Sequence, residues 1–185
     1  MNIQIKAPTY ENKKITTESS EISELARCLN LDKHPNGGYF KETDRPKDIQ
    51  IINGLKRNSS SLIHFLMTCE SPIGKFHTNL TSRTIHILQR GSGIYVLIHP
   101  NNEVEIFKVG FNVENGEKTQ WVVEPNTYKG CYLINDQNEE SNNDCLWVSE
   151  VVVPGFDFED MKFLNKDDLT SKLGTEQAEK FEFLI

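Results

Sequence analysis

Between Tyr39 and Val153 the chain breaks into nine short runs of β-branched and aromatic residues, and that rhythm limits the fold more than any other feature. The runs are Tyr39–Glu42, Ser61–Met67, Lys75–Asn79, Arg83–Gln89, Ile94–His99, Glu103–Val109, Thr119–Val123, Tyr128–Ile134 and Cys145–Val153. Turn-forming residues such as His99-Pro-Asn-Asn102 and Glu114-Asn-Gly-Glu117 separate them, and Pro154-Gly155 ends the last. Many short strands at close spacing predict an all-β sandwich or barrel, with helices only at the ends.

The flanks fit this picture. Residues 1–18 are polar and patternless, which predicts an extended or mobile arm ahead of one domain over 19–185. Ile22, Leu25, Ala26 and Leu29 repeat at helical spacing behind a capping Ser19 or Ser20. His34-Pro-Asn-Gly-Gly38 stops that helix, and the β core runs from about 39 to 158. Helices return over about 166–183, with Gly174 as a C-terminal cap and Thr175 able to cap the next segment. Asn135–Asp144 is acidic, has no apolar anchor, and reads as a mobile loop.

Composition narrows the function. A chain of 185 residues is large enough for a single real core. The net charge of −7 with scattered Lys and Arg argues against nucleic-acid binding. No apolar run reaches the length of a membrane span, and the first residues lack a signal peptide's apolar core. The expected location is therefore the cytoplasm, with the nucleus left open. Four widely spaced cysteines without a Cys-x-x-Cys pair predict reduced thiols. Gly-x-Ser-x-Gly, P-loop and Gly-x-Gly-x-x-Gly patterns are missing.

Three segments together carry a resemblance: His34-Pro-Asn-Gly-Gly-Tyr-Phe-Lys-Glu-Thr43, then His77 with Ile85-His86 and Gly91, then Val153-Pro-Gly-Phe-Asp-Phe158. They resemble a small single-domain cupin family of bacteria and fungi. Gly74-Lys-Phe-His77, Ile85-His-Ile-Leu-Gln-Arg-Gly91 and Val151-Val-Val-Pro-Gly-Phe-Asp-Phe-Glu-Asp160 resemble the family's budding-yeast member. The resemblance spans residues 30–165. It implies a double-stranded β-helix, the cupin jelly roll, usually as a homodimer with a ligand pocket in the barrel, and implies no particular reaction.

Metal-binding cupins supply His-x-His-x3–4-Glu from one motif and a further His from a second. On this chain the resemblance lays the first on His77, Asn79 and Arg83, and the second on Pro125-Asn-Thr-Tyr128-Lys-Gly130, where no His stands. A guanidinium has no lone pair for a metal. No metal or other cofactor is therefore expected. An inward Arg83 would instead suit a small anionic or polyhydroxy metabolite, sugar-like or nucleotide-sugar-like.

By analogy with metal-free epimerases of this fold, His77 would be the base and Tyr128 or Tyr132 the acid. Asn79, Arg83, His64, Gln120, Tyr132 and Glu150 complete the candidate ligand-binding set. Strand alternation prevents Arg83 and His86 from both pointing inward, and the motif alignment favours Arg83 inside. Several readings stay open. Arg83 pairs structurally with Glu150 or Glu42 in one of them. His64 is a core histidine in another, the preferred one. The carboxylate that tunes His77 is Asp157 or Glu150. Phe156 and Phe158 either pack against the C-terminal helices, the preferred reading, or cover the barrel mouth. A non-catalytic binding or sensing module and a metal-dependent oxygenase or isomerase are the alternative functions.

Overall fold

The computed structural model describes residues 3, 5–52, 54–135 and 139–185. Helix α1 spans Ser20–Cys28, followed by β1 Asp32–Lys33, β2 Tyr39–Asp44, β3 Gln50–Ile52, β4 Leu55–Arg57, β5 Ser61–Thr68, β6 Ile73–Asn79, β7 Arg83–Gly91 and β8 Gly93–Ile98. The chain continues with β9 Val104–Val109, β10 Gln120–Val123, β11 Tyr128–Leu133, β12 Cys145–Val153, β13 Met161–Phe163, α2 Lys166–Leu173 and α3 Thr175–Glu179. One antiparallel sheet has the order β1-β2-β5-β12-β7-β10 and the other β13-β6-β11-β8-β9. The two face each other as a jelly roll. Each of the nine predicted runs is a strand. The unread strands are β1, β3, β4 and β13, all of two or three residues and too short to carry a period.

Alternation explains how the layers pack. Phe65, Met67, Leu88, Tyr95, Leu97, Trp121, Cys131 and Val148 form the core between the sheets. The opposite face of the five-stranded sheet is also apolar, and Phe76, Ile94, Val96, Tyr128 and Tyr132 lie under Leu164, Leu169, Phe181 and Leu184. Each such fully buried side chain contributes about 1.5–3 kcal/mol, so the C-terminal helices stabilise the barrel rather than decorate it. On the six-stranded sheet, Ile22 of α1 packs on Leu66 and Cys145. The Ser19 hydroxyl caps α1 by accepting from the Ile22 amide at 3.3 Å. Gly174, at φ +77°, ends α2 as expected, but it also occupies the N-cap of α3, so Thr175 is not the cap.

The described part of the N-terminal arm is not extended throughout: it forms a turn over residues 10–14, and it is docked rather than loose. Tyr10 is 1% exposed within the inter-sheet core, and its hydroxyl donates to Asp144 at 2.8 Å. The Thr9 amide and hydroxyl both donate to the Glu140 carboxylate, at 2.6 and 2.8 Å. The acidic segment therefore has anchors after all, made of carboxylates instead of apolar residues; its positions 136–138 lie outside the described residues. Tyr10 closes the barrel at the Cys145 end of β12, which leaves the Val152 end for a mouth. All four cysteines are free thiols, with Cys28 exposed and the others buried. Among the described residues, no helix is long and apolar enough to cross a membrane.

Candidate functional site

Register assembles the site from two rows of residues. On the six-stranded sheet Ile63, Glu150, His86 and Trp121 are successive cross-strand partners on β5, β12, β7 and β10. On the five-stranded sheet His77, Lys129 and Leu97 are partners on β6, β11 and β8. Both rows face inward, so the barrel carries polar residues in the middle of an apolar core.

Lys129 joins the rows. Its ammonium lies 2.9 Å from Glu150 Oε2 and 3.0 Å from His86 Nε2, and those two atoms are 3.6 Å apart. His86 has no solvent exposure and stacks on Trp121 at 4.8 Å with planes 9° apart. Because the ammonium donates to His86 Nε2, the imidazole is neutral and carries its proton on Nδ1. Burial, reinforced by the Lys129 charge, holds His86 down to about 3. Burial would raise the Glu150 carboxyl, but the adjacent Lys129 charge outweighs it, and His86 adds to that; the group falls to about 2. Ammonium and carboxylate therefore form a buried ion pair of zero net charge.

His77 and His34 complete the polar lining. His77 Nδ1 is 2.8 Å from the Lys75 carbonyl, so it donates there and leaves the Nε2 lone pair available. Burial and then the Lys129 charge lower His77 to about 3. His34 Nδ1 accepts from the Asn36 amide at 3.1 Å, which makes Nε2–H its free donor, and burial lowers it to about 4. These side chains line a cavity with two lobes. The inner lobe, about 30 Å³, is walled by Phe65, Tyr95 and Cys131; the outer, about 60 Å³, by Phe40, Asn79, Phe156, Phe158 and Met161. His34, Asn36, Ile63, His77, Lys129 and Glu150 border both. Asn36 and Asn79 each keep a buried side-chain oxygen without a hydrogen-bond partner.

The candidates from sequence divide accordingly. His77, Asn79 and Glu150 are at the cavity. Arg83 is not inward: it is exposed and pairs with Glu124 at 2.7 Å, rather than with Glu150 or Glu42. The inward phase of β7 is Thr84, His86 and Leu88, so the motif alignment placed this strand one residue out of phase. An inward guanidinium would have needed a buried partner that this register does not supply. Gln120 also faces outward, because its neighbour Trp121 is the inward partner of His86. His64 lies on the outer face, where the Trp147 indole donates to it at 3.3 Å. Tyr128 and Tyr132 point away from the barrel interior into the layer beneath the C-terminal helices, so neither can be an acid opposite His77. Phe158 is 67% exposed and stands edge-to-face with Phe156 at 5.0 Å; the pair borders the mouth instead of docking the helices.

Lys129 and Asn36 were not among the candidates. Lys129 stands in a run whose two phases, Tyr128/Gly130/Tyr132 and Lys129/Cys131/Leu133, are almost equally apolar, so alternation could not select it. The clue available was a lysine in the middle of an otherwise apolar strand.

The residues present do not suit the metal that cupin barrels commonly hold. The lone pairs of His86 Nε2 and Glu150 Oε2 already accept from Lys129, whose positive charge would repel a divalent ion. Among the described residues, no three His, Cys, Asp or Glu side chains converge to bind one.

Comparison with known proteins places this architecture. Residues 23–164 match the model of the family described as Cupin superfamily (DUF985). The chain is 45% identical to the uncharacterized protein YML079W of Saccharomyces cerevisiae, over 99% of its own length and 95% of that protein. Among solved structures, a hypothetical protein from Leishmania major superposes with a TM-score of 0.76 at 24% identity, covering 90% of this chain and 98% of that one. Protein SO0799 from Shewanella oneidensis gives 0.70 at 21% identity, covering 88% and 95%. The family match spans nearly the whole β core that carries the Lys129 cluster: this chain belongs to the DUF985 family of the cupin superfamily.

Proposed function

We propose that the barrel binds a small polar metabolite of polyhydroxy or carbonyl character beside the Lys129–Glu150 pair, which His86 backs from within the core. The observation that carries this reading is a buried, charge-balanced ion pair at the floor of a cavity that His34 and His77 also border. The ion pair sums to zero and the histidines are neutral, so the lining favours an uncharged ligand over an anion. Lobes of about 30 and 60 Å³ hold a few water-sized groups, so only the head of a nucleotide-sugar would enter. Native mass spectrometry and thermal-shift screening of neutral sugars and polyols test the proposal. A hit that stabilises the wild type should be lost in Lys129→Met and Glu150→Gln; identical profiles in all three proteins would sink the reading.

A second reading, proton transfer, is supported by the pairing of His77 with Lys129. His77 is a neutral imidazole with a free lone pair, next in register to an ammonium that can polarise a carbonyl oxygen. Removing a proton beside a carbonyl, as in an isomerase or epimerase, would then rely on polarisation by Lys129 to offset the low basicity of His77, which lies at about 3. Incubation of hydroxy-aldehydes and hydroxy-ketones in D2O checks it by NMR. Deuterium incorporation that disappears in His77→Ala supports catalysis, whereas binding without exchange identifies a sensing or storage module.

A further inference from the structure

We infer that Asn36 and Asn79 make the mouth of the cavity a hydrogen-bond-accepting subsite, which selects a short hydroxy-ketone or hydroxy-aldehyde with its carbonyl toward Lys129 and its hydroxyls, free of phosphate, toward the two amides. The inference rests on the binding reading above and adds to it an orientation and a chemical class. Asn36 is 1% exposed and Asn79 9% exposed, and both border the outer lobe. Each holds a buried side-chain oxygen without a hydrogen-bond partner. Such an oxygen is costly to keep, and a donor from a ligand removes the cost.

The nitrogens fix which way the amides point. Asn36 Nδ2 donates to Met161 Sδ at 3.8 Å, and Asn79 Nδ2 donates to Thr84 Oγ1 at 3.2 Å. The backbone of Asn36 is held as well: its amide donates to His34 Nδ1 at 3.1 Å, and its carbonyl accepts from the Lys75 amide at 2.8 Å. Gly37, at φ +100°, lets this turn lie against Ile73, whose carbonyl a Cβ would strike. The His34-Pro-Asn-Gly-Gly38 turn thereby pins an acceptor against β6 at the mouth.

The rest of the lining has the same bias. His77 Nε2 keeps a lone pair, and Glu150 uses only Oε2 to hold Lys129. Two donors are left over. One is the third N–H of the Lys129 ammonium, whose other two go to Glu150 and His86; the second is His34 Nε2–H. Four acceptors against two donors call for a ligand richer in O–H than in bare oxygen. A carbonyl takes the spare Lys129 proton at the floor, and hydroxyls donate to Asn36 and Asn79. A phosphate at the mouth would set unprotonated, charged oxygens against two amide oxygens. Lobes of about 30 and 60 Å³ limit the chain to about three or four carbons.

Protein-observed NMR titrations of the full chain with acetone, hydroxyacetone and dihydroxyacetone test this, because the series adds one hydroxyl at each step to the same carbonyl. Dihydroxyacetone should bind at least about tenfold more tightly than acetone. Asn36→Leu and Asn79→Leu should each cut that preference to about threefold or less, and the double variant should bind the three ketones alike. Each change deletes a buried oxygen that has no partner, so the ligand-free melting midpoint should hold or rise. Dihydroxyacetone phosphate should bind at least about tenfold more weakly than dihydroxyacetone. Equal affinity of the wild type for the three ketones, which needs no variant to observe, would overturn the inference. So would a preference that survives in the double variant, tighter binding of the phosphate, or a melting midpoint lowered by more than about 5 °C, which would make the two residues structural. A polyol hit lost in Lys129→Met but kept at full affinity in the double variant would remove this inference and leave the binding reading standing; no polyol hit and no ketone binding would remove both.

Discussion

Replacing Lys129 with Met removes the ammonium while keeping most of the stem, and the outcome can be worked out from the burial of its partner. Glu150 is 8% exposed, and its carboxyl lies at about 2 instead of the ordinary 4.5. That difference corresponds to about 3 kcal/mol, the same size as the cost of breaking a buried ion pair by removing one member. At pH 7 the variant should lose about 3 kcal/mol, which in urea lowers the midpoint by about 1–2 M. The pH dependence separates this cause from simple loss of packing. In the wild type the Glu150 contribution is complete above the unfolded value of 4.5 and is lost as pH falls toward about 2. In the variant, burial without a cation lifts the folded value above 4.5, so the folded state takes up a proton more readily than the unfolded chain. Lowering the pH from 7 toward 5 then recovers stability relative to the wild type. His86 and His77, freed from the neighbouring charge, protonate more readily and act in the same direction. Urea unfolding followed by far-UV circular dichroism at pH 7 and 5 reads both effects. A loss below about 1 kcal/mol at pH 7, or a gap that widens on acidification, would refute the electrostatic account.

The native protein should itself be acid-sensitive: His77 and His86 lie at about 3 and His34 at about 4, so the unfolded chain binds protons first as pH falls below 6.5. Stability is complete above that pH and declines toward pH 4, each group contributing up to about 2 kcal/mol of loss at pH 5; identical urea midpoints at pH 7 and 5 would contradict this. Arg83→Ala should change stability by less than about 0.5 kcal/mol and leave thermal-shift hits unchanged, because its pair with Glu124 is exposed. Arg57→Ala should cost about 3 kcal/mol or more in the same urea assay, since the buried guanidinium bonds Gly155 O, Thr81, Ser82 and Asp160 together. Gly91→Ala should destabilise by more than about 1 kcal/mol: the residue sits at φ +80°, and a Cβ there would collide with the Cys145 carbonyl, so an unchanged melting temperature would show that the turn can relax.

The strands of the β core and the helices at both ends were legible in the sequence because each depends on local pattern. Cys145–Val153 is read and observed with the same bounds, and Ser19 caps α1 where a Ser belongs. Three of the candidate residues, His77, Asn79 and Glu150, also reach the cavity. What local pattern could not decide is which phase of a strand faces inward when both phases carry polar and apolar residues. On β7 the choice between Arg83 and His86 depends on pairing with β12, against which β7 bulges at Gln89, opposite Trp147/Val148. On β11 the choice between Tyr128 and Lys129 depends on the C-terminal helices, which make the outer face as apolar as the inner. Lys129, Glu150 and His86 are far apart along the chain and meet only because two sheets close over one another. The sequence by itself determined that this chain would form a two-sheet barrel, since alternation and turn chemistry act within a few residues. Only the tertiary structure decided that a buried lysine is the barrel's central cation, because the partners that make its burial tolerable come from other strands.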